Sequence, residues 1–137
     1  MDIEACIKQG FLMKETPDKK LIEKEMKESQ YDLESAKKAI SGKDYKWGII
    51  KSYYSMFHAG KAACFSLGYR EKKHIAVLIV LEHLNKEGKL EGRFIHDFKA
   101  AMAAREGADY QYSYSTEKAE QLYNMAKEFL ERMKKLV

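Results

Sequence analysis

An all-α fold, an up-and-down bundle of four to five helices, is what this sequence predicts, on three observations. The stretch Trp47–Leu67 (WGIIKSYYSMFHAGKAACFSL) is free of proline and far longer than one strand, with apolar residues on nearly every side. Segments on both sides of it repeat apolar residues at steps of three and four. The whole chain holds a single proline and no repeat, linker or low-complexity run, which suits one compact domain over residues 1–137.

The elements follow in order. Ile3, Ile7, Phe11 and Leu12 have helical spacing, so residues 1–15 read as a short leading helix or arm. Thr16-Pro17-Asp18 reads as an N-cap, a proline at the first helical position and an acid suited to the helix dipole. The next helix shows Ile22, Met26, Ser29, Leu33, Ala36 and Ile40 on one face and closes at Gly42. The central helix starts near Asp44 and stops at Gly68; its small residues admit close neighbours while its aromatics fill space. Lys51 and Lys61 exclude a membrane span. A charged connection, Tyr69 to His74, leads into a helix rich in Ile75, Val77–Leu81 and Leu84. A further helix is expected from Gly92 to Arg105, with Phe94, Ile95, Phe98, Ala101 and Met102 facing in. Gly107–Ser115 (GADYQYSYS), with a tyrosine at every second position, reads as an ordered loop or extended segment. Ser115 or Thr116 then caps a last helix whose inner face runs from Ala119 through Phe129 to Leu136.

Composition narrows the function only a little. A net charge of +4, from 25 basic and 21 acidic residues, permits an anionic partner without the dense basic stripe of a dedicated nucleic-acid binder. Cys6 and Cys64 lie far apart and match no zinc or redox spacing, so a reduced, cytoplasmic protein is expected, with no metal and no cofactor. The first ten residues lack the basic and apolar regions of a signal peptide. No phosphate-loop, dinucleotide, zinc-protease or nucleophile-elbow motif is present.

Three groups of residues could carry chemistry. Tyr53 and Tyr54 are adjacent on the central helix and His58 lies one turn beyond Tyr54, where packing in the core competes with a functional role. Arg70, Lys72, Lys73 and His74 place cations at a helix start, against its dipole; a bound phosphate would compensate them, and so would solvent. Arg105, Asp109, Tyr110 and Tyr112 cluster near a glycine. Arginine there could hold a phosphate and the tyrosines could stack on bases, or Asp109 could pair with Arg105 and make the cluster structural.

Read together, Ser52–Ala59 with Lys61-Ala62, Gly68, Lys73-His74, Arg105, Ala108-Asp109-Tyr110 and the closing Ala126–Leu130 resemble the small stand-alone prokaryotic members of the HEPN family, over roughly residues 20–135. The resemblance implies a helical bundle that pairs as a homodimer. It also implies a minimal nucleotidyltransferase as companion, in a toxin–antitoxin-like pair that handles a nucleotide or RNA. Many HEPN proteins cleave RNA without metal, through an arginine and a histidine with four to six residues between them. Arg105 matches that arginine, Tyr110 stands where the histidine would be, and Tyr112 matches a tyrosine common two residues on. A tyrosine titrates near 10 and a histidine near 6.5, so Tyr110 is a poor base at neutral pH. The reading is a nucleotide- or RNA-binding module with Arg105 and Tyr110 at its centre. Tyr54, His58, Lys73, His74, Asp109 and Tyr112 are the candidate ligand contacts, and a metal-independent endoribonuclease is the alternative.

Overall fold

The computed structural model describes all 137 residues and contains six helices and two short strands: α1 (Ile3–Lys8), β1 (Leu12–Lys14), α2 (Lys19–Ser41), α3 (Tyr45–Ser66), β2 (Tyr69–Glu71), α4 (His74–Lys86), α5 (Gly92–Tyr110) and α6 (Thr116–Leu136). The five long helices form the bundle, and α1 with β1 makes a leading arm. No helix is long and apolar enough to cross a membrane.

Local chemistry sets most of the boundaries. The carboxylates of Asp2, Asp18 and Asp44 accept the backbone N–H of Ala5, Lys20 and Trp47, and the Ser115 hydroxyl accepts that of Lys118. Asp18, not Thr16, therefore caps α2, and Pro17 lies outside the helix. Gly68 (φ 86°) takes the left-handed turn that ends α3 and starts β2, a conformation that costs an L side chain roughly 1–2 kcal/mol.

Two further departures concern the connections. The segment after Gly68 pairs antiparallel with β1, with Leu12 opposite Glu71, Met13 opposite Arg70 and Lys14 opposite Tyr69. The arm is thereby stitched to the bundle across a long sequence gap. The fourth long helix does not stop at Arg105 but carries Gly107 in its interior and continues to Tyr110. The cost of an interior glycine, about 1 kcal/mol, is small beside the burial of Ala104 and Ala108 on the same helix.

Helix α3 is the centre of the molecule and packs against α2, α4, α5 and α6. Tyr53, Met56, Phe57, Cys64 and Phe65 are buried in it. Gly60 permits the approach of α4: a Cβ there would stand 2.7 Å from Val77 Cγ1. One stripe of α3 escapes this enclosure. Trp47, Lys51, Tyr54, His58 and Lys61 are all partly or fully exposed, Trp47 to 47%. The lone tryptophan is therefore a surface residue, and the candidate chemistry lies along this stripe.

Candidate functional site

Four of the sequence-derived candidates meet where α3, α4 and α5 converge. Tyr54 projects from α3, His74 from the first position of α4, and Arg105 and Asp109 from one face of α5, a turn apart. Arg105 Nη2 donates a long hydrogen bond of 3.4 Å to the Tyr54 hydroxyl. Its guanidinium carbon stands 5.6 Å from the ring centre of Tyr53 and 5.7 Å from that of Tyr54, within cation–π range. Arg105 Nε lies 3.1 Å from Asp109 Oδ2. The N–H is not aimed at that oxygen, and this buried nitrogen has no hydrogen-bond acceptor. The Arg105–Asp109 contact is thus a charge pair with an unused donor in it.

Tyr53, read from sequence as a core residue or a functional one, is both buried and part of the cleft wall. It is only 1% exposed, yet its hydroxyl lies 3.0 Å from His74 Nδ1. Burial pushes the Tyr53 phenol up to about 12 against the lowering influence of Arg105, so it stays a neutral hydroxyl. The His74 ring stacks on Phe57 at 4.0 Å. Burial, and then the positive charges of Arg105, Lys61 and His58, hold His74 below the ordinary histidine value. Nothing in the spacing of Tyr53, Phe57 and His74 foretells this meeting, because the turn through Gly68 and β2 decides it.

His58 belongs to a second cluster, facing α2 rather than α5. Its Nδ1 lies 2.6 Å from Glu25 Oε2 and its Nε2 3.6 Å from Asp32 Oδ2. Lys61 lies between Glu25 (3.3 Å) and Glu71 of β2 (3.4 Å). Burial pushes the Glu25 carboxyl upward, but the His58 hydrogen bond and Lys61 outweigh it and hold Glu25 below its ordinary value. Burial raises Asp32, with Glu28 adding to it and His58 opposing. Glu25 and Asp32 had no signal of their own in the sequence, among many α2 acids.

The remaining candidates lie apart from both. Lys73 turns toward the arm, its Nζ 5.1 Å above the Phe11 ring, so it is not a contact of the Arg105 cleft. Tyr110 and Tyr112 are 72% and 75% exposed at the end of α5 and just beyond it. Tyr112 holds φ 52°, the left-handed position usually filled by glycine after a helix, while Ser113 N–H closes onto Gly107 C=O at 2.9 Å. No cluster of three or more His, Cys, Asp or Glu side chains could hold a metal ion. The largest surface groove, about 640 Å³ between α5 and α6, is spanned by its own ion pairs; Arg93–Glu128 and Arg132–Glu91 each close at 3.0 Å.

Known proteins share both the sequence pattern and the bundle. The model of the HEPN domain matches residues 22–136. Two proteins of Methanocaldococcus jannaschii, named Putative toxin MJ0605 and Putative toxin MJ0142, are each 28% identical to this chain. The first aligns over 78% of this chain and 81% of its own length, the second over 85% and 82%. The crystal structure of TT1696 from Thermus thermophilus superposes with a TM-score of 0.74, covering 85% of this chain and 98% of that one. At 14% identity this similarity speaks for the fold alone.

Proposed function

This chain belongs to the HEPN domain family, and from that premise we propose that it is a toxin-like HEPN module whose Arg105 cleft binds the phosphate of a nucleotide or RNA. The toxin-like part rests on the two relatives that carry the word in their names. The binding part rests on one observation: a quarter-exposed arginine, backed by two tyrosines, with a buried Nε–H that no protein acceptor uses. A phosphate oxygen would complete that donor, and arginine forms its strongest hydrogen bonds to such oxygens. The exposed rings of Tyr110 and Tyr112, at the end of α5 and just beyond it, would serve as stacking surfaces, as aromatic side chains do for single-stranded bases. A homodimer and a minimal nucleotidyltransferase companion complete the proposal, both following from the family.

Fluorescence anisotropy with a labelled oligoribonucleotide and with ATP, each without added metal, tests the cleft. Arg105→Ala is expected to weaken binding at least about tenfold, the effect of losing one charge-assisted contact of about 1.4 kcal/mol. Equal binding by wild type and Arg105→Ala would remove the cleft from consideration. A second reading, cleavage of the bound RNA, is favoured by one specific observation, the meeting of His74 and Arg105 at the shared Tyr53 side chain.

A further inference from the structure

We propose that Asp109, seconded by Glu106, makes the Arg105 cleft a charge filter: it accepts the singly charged phosphodiester and disfavours the doubly charged terminal phosphate. The proposal rests on phosphate binding at Arg105. The selection comes from the charge the cleft offers, which is one guanidinium already shared with a carboxylate.

Each element around the guanidinium contributes to that balance. On α5, Asp109 lies on the same helix face as Arg105, its Oδ2 3.1 Å from Nε. Both side chains are about a quarter exposed, so a ligand that touches the guanidinium also enters the field of the carboxylate. Glu106, next in the chain, is exposed, and its charge reaches the Tyr53 phenol. From α3, Tyr53 and Tyr54 bring rings and hydroxyls rather than positive charge. His58 and Lys61 are committed to the carboxylates of Glu25, Asp32 and Glu71. From α4, His74 is held below the ordinary histidine value, by burial first and Arg105 next, so it adds no charge at neutral pH. Lys73 is directed to Phe11 of the arm. Arg105 therefore stands as a single cation against Asp109, with Glu106 close by.

The consequence follows from counting ligand charges. The first negative charge gains direct, charge-assisted hydrogen bonds from the guanidinium, which outweigh the repulsion from Asp109. A second charge meets the same carboxylate with no further cation to offset it. Two like charges roughly 4 Å apart in water repel by the equivalent of about fivefold in affinity. An internal phosphodiester carries one charge. A terminal phosphate, whose second proton leaves near pH 6, carries close to two at neutral pH. An arginine without the acid would rank the two ligands the other way, since the dianion is the stronger acceptor.

The test pairs two ligands that differ by one methyl group and one charge: adenosine 5′-monophosphate and its methyl phosphodiester. Each competes with a labelled oligoribonucleotide at about pH 7.5, without metal, where the monophosphate is almost wholly the dianion. Wild type is expected to bind the methyl ester about fivefold more tightly than the monophosphate. Asp109→Asn should cut that preference to about twofold or less, mainly by tightening the monophosphate. Glu106→Gln should cut it by a smaller factor, and Asp109→Glu, which keeps the charge, should retain it. A residue that merely held the helix would leave the ratio of the two affinities unmoved. A monophosphate bound by wild type as tightly as its methyl ester overturns the filter, and so does a preference that persists in Asp109→Asn. In both cases, loss of both ligands by Arg105→Ala leaves the binding reading standing. Equal binding of both ligands by Arg105→Ala and wild type overturns that reading, and the filter with it.

Discussion

Tyr54 and His58 stand one turn apart on the same stripe of α3, and their surroundings are opposite. Around His58 the polar groups contact one another: Glu25 and Asp32 flank the ring, and Lys61 joins Glu25 to Glu71. Around Tyr54 the hydrogen bonding is incomplete, because Arg105, charge-paired with Asp109, keeps a buried N–H without an acceptor. The first arrangement is a clasp between α2, α3 and β2. The second has the makings of an anion site. Polar residues at neighbouring positions of one helix thus differ in whether the adjacent elements satisfy them, and the proposed ligand site is the one left with an unused donor. An unsatisfied buried donor costs about 1–3 kcal/mol, which makes the open site the one that gains from a ligand.

The comparison breaks most completely at Phe57, the residue the two regions share. It is 5% exposed, stacks on His74 and meets His58 edge-on at 5.9 Å. Phe57→Ala is expected to cost about 3–5 kcal/mol, seen as a fall of roughly 10–15 °C in Tm, and to loosen both regions together. A variant that keeps its Tm yet loses only one region's behaviour would show that the two are independent.

The clasp alone is addressed by Glu25→Gln, with an expected cost of about 1–2 kcal/mol near neutral pH. The pH dependence has a definite sign. Glu25 titrates lower in the folded protein than its ordinary 4.5, because His58 and Lys61 overcome the effect of burial. Its contribution is therefore full above about pH 4.5 and fades as the pH falls through the depressed folded value. Thermal melts of wild type and Glu25→Gln should differ at pH 7 and converge under acid conditions. Parallel curves at every pH would show that the carboxylate's charge does not contribute.

The scaffold was far more legible in the sequence than the site. Repeating apolar faces, the caps at Asp44 and Ser115 and Gly68 mark long helices directly, since each acts through neighbours within a turn or two. Gly107 misled because a glycine's local cost is small against the burial of its helix, and packing decided. The β1–β2 pair has three residues a side and a partner far along the chain, too short for any period to register. Arg105, Asp109 and Tyr54 stand out by residue type and spacing and lie together in the fold, but Tyr53 and His74 became partners only through the path of the chain after α3. Lys73 shows the converse. Adjacent in sequence to a cleft residue, it points elsewhere, because successive positions at a helix start face different directions.

The smallest expected effect is also the finest test of the open site. Asp109 and Arg105 are an i,i+4 pair at 3.1 Å, each about a quarter exposed, and such pairs contribute little to stability, about 0–1 kcal/mol. The same carboxylate must yield or share Arg105 when a phosphate arrives. Asp109→Asn is therefore expected to leave Tm nearly unchanged while tightening phosphate-ligand binding by up to about fivefold, the equivalent of about 1 kcal/mol. The gain should shrink as salt rises, since these charges are accessible to screening. In the Arg105→Ala background the same change should do much less, because the pair acts as a unit and its effects are not additive. Weaker binding by Asp109→Asn would instead make Asp109 a support that aims Arg105, and would transfer the cleft toward the fully paired character of the His58 clasp.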